Sequence, residues 1–76
     1  MFHNTIMNKF AERLKELRAE RNLSRKKVAE ELGVHERSVA YWETGERECD
    51  LDTLIKLSKL LDTTVDYLIG ATDTDF

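Results

Sequence analysis

The chain has 76 residues, 41 % of them hydrophobic, with no proline, three glycines, one cysteine and a formal net charge of −3. That length holds one domain with a modest core, and the scarcity of proline and glycine favours helices over a loop-rich fold. The lone Cys49 excludes an intramolecular disulfide and any CxxC-type zinc pair, and no apolar run approaches the roughly 18 residues of a membrane span.

Residues 1–7 carry no clear pattern and read as a mobile arm from which Phe2 and Ile6 can fold back on the core. They lack the basic and apolar stretches of a signal peptide, so a cytoplasmic protein without membrane association is expected. Asn8 is placed to cap a first helix through about residue 21, with Phe10, Leu14 and Leu17 as its apolar stripe. Glu12, Glu16 and Glu20 form an acidic row on the other face, beside Lys15 and Arg18. Ser24 can accept an orphan N–H group from a second helix, 25–32, whose inward face is Val28, Ala29 and Leu32. Gly33 takes positive φ without steric cost and can turn the chain into a third helix, 36–44, with Val39 and Trp42 inward and Gly45 as its stop. After a loop at 46–50, a fourth helix at 51–61 carries Leu54, Leu57 and Leu61 on one face. Thr64 caps a short fifth helix, 65–69, closed by Gly70, and an acidic tail at 71–76 is expected to fray. The expectation is an all-α bundle of about five helices: an arm at 1–7, one domain at 8–70 and the tail. There is no repeat and no low-complexity segment.

The second and third helices, broken at Gly33, form a helix-turn-helix pattern, in which the second member of the pair can lie in the major groove of DNA. The signal is the whole set Val28, Ala29, Leu32, Gly33, Val34, Val39 and Trp42 at matching offsets, since a glycine between amphipathic segments occurs in many small bundles. Net charge argues the other way, because a basic surface is the usual footprint of a nucleic-acid binder. Its distribution resolves the conflict. Residues 8–47 hold ten basic and eight acidic side chains, a balance of +2, whereas residues 48–76 hold two and seven, a balance of −5. The acidic third serves solubility and also suits a side turned away from phosphates.

The segments Arg13-Leu14-Lys15-Glu16-Leu17-Arg18, Leu23-Ser24, Val28-Ala29, Leu32-Gly33-Val34, Trp42-Glu43-Thr44-Gly45, Thr53-Leu54 and Asp66-Tyr67-Leu68-Ile69-Gly70, with Val39, Leu57 and Leu61, carry a resemblance. Over most of its length the chain resembles the phage-repressor-like (Xre-type) helix-turn-helix family of bacterial and phage transcription regulators. The resemblance implies a lambda-repressor-like domain, binding to double-stranded DNA as a homodimer at an inverted repeat, and repression or activation of nearby genes. It also implies that Glu43 pairs with Arg18 and fixes the recognition helix.

With Val39 and Trp42 inward, the outward set of the third helix is Glu36, Arg37, Ala40 and Tyr41, with Ser38 near the rim. Arg37 is the first candidate for a base contact, because its fork can take guanine O6 and N7 together, worth about 1–3 kcal/mol of discrimination. Glu36 can accept from a cytosine amino group, or simply favour the helix dipole. Tyr41 can pack on a thymine methyl or bond a phosphate, and Ser38 can do the latter. The resemblance places Arg25 where the family commonly has a glutamine that touches the DNA backbone, with Lys26 beside it; Lys27 reads as a solvated face. Thr44 falls where the family's loop meets phosphate, and Arg47 matches the basic residue that follows. Two positions depart from the family pattern. Glu46 replaces a usual lysine and reduces phosphate attraction, while Cys49 replaces a usual proline and leaves the loop less rigid. His35 reads as a polar boundary residue. Only His3 could join it, so no metal site, no cofactor and no catalysis are expected. Ile55, Leu60, Tyr67 and Ile69 are apolar beyond what the core requires and mark the C-terminal part for dimerisation. The competing reading is a protein-interaction module of the same fold without DNA affinity, supported by the acidic balance, Glu36 and Glu46.

Overall fold

A computed structural model describes the backbone of residues 2–74 and the side chains of residues 9–74. Five helices follow one another: α1 (Phe2–Glu20), α2 (Arg25–Leu32), α3 (Glu36–Thr44), α4 (Leu51–Leu60) and α5 (Val65–Ile69). Helices α2 to α5 begin or end on the signals that their residues carry. Ser24 accepts from the Lys27 N–H at 3.0 Å, Asp50 from Thr53 at 3.0 Å and Thr64 from Tyr67 at 3.0 Å, each satisfying a donor of the first turn. Hydrogen bonds from Thr53, with its backbone, hold the Asp50 carboxyl below its ordinary value. Gly33 lies at φ +72° with open space around it, so the left-handed backbone, and not crowding, is what demands glycine there. The Val34 N–H then returns to the Ala29 carbonyl at 3.0 Å and closes the turn.

The predicted stripes meet in one core. Phe10, Leu14 and Leu17 of α1, Val28 and Ala29 of α2, Val39 and Trp42 of α3, Leu54 and Leu57 of α4, Leu61 and Leu68 are all buried. Leu32 and Val34 pack against it half-buried. Helix α1 lies against α3 and α5, α2 against α3 and α4, and α4 against α5. The pair α2–α3 is therefore carried on α1 and α4, with α3 at its edge.

Two expectations fail. Helix α1 starts at Phe2, so the backbone of Asn8 lies inside the helix and not at its start; no glycine or proline precedes it to stop a helix from running back. The described part of the tail, 71–74, is also held where fraying was expected. Arg13 Nη1 donates to the carbonyls of Tyr67 and Thr72, both at 2.6 Å, and Nη2 meets Asp73 at 2.7 Å. The same guanidinium lies 4.0 Å over the Tyr67 ring. The side chains of residues 1–8, including Phe2 and Ile6, lie outside the described residues. Among the described residues no helix is long and apolar enough to cross a membrane.

Candidate nucleic-acid interface

Helix α3 buries Val39, Trp42 and Glu43 and leaves its other side open. Along that open side Glu36, Arg37, Ser38 and Tyr41 line a groove of about 410 Å³ together with His35 and Arg47. Five of the eight expected contact residues are thus brought together; Arg25, Lys26 and Thr44 do not line the groove. His35 enters the set as the residue before α3, its carbonyl accepting from the Ser38 N–H at 3.0 Å. Trp42 is core and not a platform for a base, being 6 % exposed.

The loop after α3 folds onto the same side. Both Glu46 and Arg47 donate their N–H groups to the Tyr41 carbonyl, at 3.0 and 3.3 Å. This sets the Arg47 guanidinium 4.9 Å over the Tyr41 ring, a cation–π contact on one face of the side chain expected to meet a thymine methyl or a phosphate. The Thr44 hydroxyl lies 3.1 Å from the Tyr41 carbonyl and 2.9 Å from a Glu46 carboxylate oxygen. Glu46, the acidic departure from the family pattern, is thereby engaged inside its own loop.

Behind the groove sits a charged cluster. Arg18 donates through Nε and Nη2 to the two carboxylate oxygens of Glu43, and through Nη1 to the Leu23 carbonyl at 2.8 Å. The Arg18–Glu43 pair is the one the resemblance implies. A second partner was missed: Arg25 Nε donates to the same Glu43 Oε1 at 3.0 Å. Burial by itself pushes the Glu43 carboxyl up, but the hydrogen bonds and charges of Arg18 and Arg25 outweigh it and hold the group below its ordinary value. One buried carboxylate therefore joins α1, α2 and α3. No local pattern links positions 25 and 43, so only the α2–α3 packing reveals the pair.

Among the described residues Lys26 and Arg37 make no ion pair, whereas Lys27 pairs with Glu31 at 3.2 Å along α2, as a solvated face does. Burial, then the charges of Asp50 and Glu48, push the Cys49 thiol up to about 12, which favours the protonated thiol over the reactive thiolate. No group of three His, Cys, Asp or Glu side chains is gathered for a metal ion among the described residues.

Residues 14–68 match the helix-turn-helix family model. ImmR, an HTH-type transcriptional regulator of Bacillus subtilis (strain 168), is 40 % identical over 58 residues, which cover 76 % of this chain and 46 % of ImmR. YqaE of the same organism, named an uncharacterized HTH-type transcriptional regulator, is 38 % identical over 60 residues, covering 79 % and 52 %. The crystal structure of C.AhdI, a restriction-modification controller protein from Aeromonas hydrophila, superposes with a TM-score of 0.74 at 34 % identity, covering 82 % of this chain and 94 % of that one. The chain spans about half the length of the curated relatives it matches. With the match running from α1 to α5, the chain belongs to the phage-repressor-like (Xre-type) helix-turn-helix family.

Proposed function

We propose that this domain is a sequence-specific double-stranded DNA-binding transcriptional regulator, acting as a repressor by occupying its operator. The observation that carries the reading is the open groove along α3, lined by Glu36, Arg37, Ser38, Tyr41 and Arg47 while Val39 and Trp42 anchor the helix from behind. Helix α3 enters the major groove, and Arg37, unpaired among the described residues, takes a guanine edge. Arg25, Lys26 and the Thr44–Arg47 loop flank it on the phosphates, and the acidic residues after position 47 face away. The protein works in the cytoplasm, without a cofactor.

Two copies bind an inverted repeat whose half-sites lie about one helical turn, roughly 34–36 Å, apart. Support for a homodimer comes from α4. Leu51 and Ile55, one turn apart, are 74 % and 46 % exposed, while Leu60, Tyr67 and Ile69 pack half-buried against the core. We take the surface offered to a second copy to include Ile55 of the expected set together with Leu51 one turn before it.

Selection from a random duplex pool tests the reading. Enrichment of a palindrome, with Arg37→Ala relaxing one base position per half-site, is the expected result. No binding to any duplex at low salt would leave the protein-interaction module as the surviving interpretation.

A further inference from the structure

The Arg18–Glu43–Arg25 cluster has an asymmetry that a purely structural clamp does not need. Arg18 uses all three guanidinium nitrogens inside the protein, on Glu43 and the Leu23 carbonyl, and its side chain is 15 % exposed. Arg25 uses only Nε, and its side chain is 43 % exposed. The planar fork makes this division possible: one edge accepts orientation from a carboxylate while the remaining donors stay available for an anion. Glu43 belongs to α3 and Arg25 to the start of α2, so their bond ties a cation on the flank to the helix that reads.

We propose that Glu43 is a positioning residue for DNA binding, holding Arg25 by Nε so that its outer nitrogens bind a phosphate of the duplex on which α3 lies. This rests on the DNA-binding reading above. The carboxylate itself repels a polyanion, and its removal should strengthen binding if charge alone matters. A loss of affinity on removing it must therefore come through geometry.

The test is a double-mutant cycle on the duplex recovered by selection, read as affinity against salt concentration. Thermal unfolding of each variant verifies that it is folded at the assay temperature. Arg25→Ala is expected to weaken binding to all sequences alike and to reduce the salt slope by about one. Glu43→Gln is expected to weaken binding about fivefold or more while Arg25 is present, by loss of an ordered charge-assisted contact, and to leave it equal or stronger in the Arg25→Ala background. Arg25→Lys keeps the charge but has one nitrogen for two anions. It is expected to lose about tenfold, and it decides the matter alone should Glu43→Gln not fold. Equal losses from Glu43→Gln in both backgrounds, an unchanged slope in Arg25→Ala, or parental affinity in Arg25→Lys each overturn the proposal. A parent chain that binds no duplex overturns the DNA-binding reading itself, a separate and visible outcome.

Discussion

Two arginines of α1, Arg13 and Arg18, hold different elements of this molecule by different chemistry. Arg18 reaches a carboxylate that is 1 % exposed and fixes α3, whereas Arg13 grips the backbone after α5 and an Asp73 that is 85 % exposed. The first clamp depends on a buried charge that must stay ionised and paired; the second depends mainly on carbonyl oxygens and an aromatic face, which carry no charge to lose. The α3 side of the domain is consequently expected to respond to charge and pH more than the C-terminal exit, where the only ionic contacts are those of the exposed Asp73 among the described residues.

The largest effect follows from deleting the buried carboxylate. Glu43→Ala leaves Arg18 without its ionic partner and should cost about 3–5 kcal/mol, measurable by urea unfolding. Acid probes the same clamp without mutation. Because the folded Glu43 holds its carboxyl below the ordinary 4.5, its contribution is fully present above that pH and is lost as pH falls through the lower folded value. The urea midpoint should drop on acidification below 4.5, and a Glu43→Gln chain should respond less over that window. Arg13→Ala breaks the other clamp and should cost about 1–2 kcal/mol, with faster amide exchange confined to the residues around α5 and the segment after it. Asp73→Ala should be the smallest. Arg13 and Lys9 hold that carboxyl below its ordinary value, but the group is fully exposed, and the thermal midpoint should not move measurably. An Asp73→Ala loss comparable to that of Arg13→Ala would show that the tether rests on the ion pair, and the contrast between the clamps would collapse.

Much of the fold was readable along the chain. The core stripe of α1, the Ser24 and Thr64 caps, the Gly33 and Gly70 stops and the inward pair Val39–Trp42 all stand where spacing put them, because each depends on neighbours within one or two turns. The start of α1 was misread because an asparagine is permitted inside a helix as well as before one, and only a breaker would have separated the cases. Asp50 as a cap escaped notice because the loop before it carries no periodic signal. At the groove, helix spacing sufficed for Glu36, Arg37, Ser38 and Tyr41. The Arg47 guanidinium over Tyr41 was out of reach, since it depends on how the loop after Gly45 returns to the helix.

By itself, the order of residues determined that five helices form, which face of each is apolar, and that α3 shows a polar outer side, since short-range hydrogen bonding and side-chain periodicity decide these. Tertiary structure alone decided which distant partners Arg25 and Arg13 reach. Arg25 and Glu43 are 18 positions apart, and Arg13 and Thr72 are 59 apart. Such partners are chosen by which helices pack together, because an arginine fork bonds whatever acceptor the core brings within about 3 Å of it.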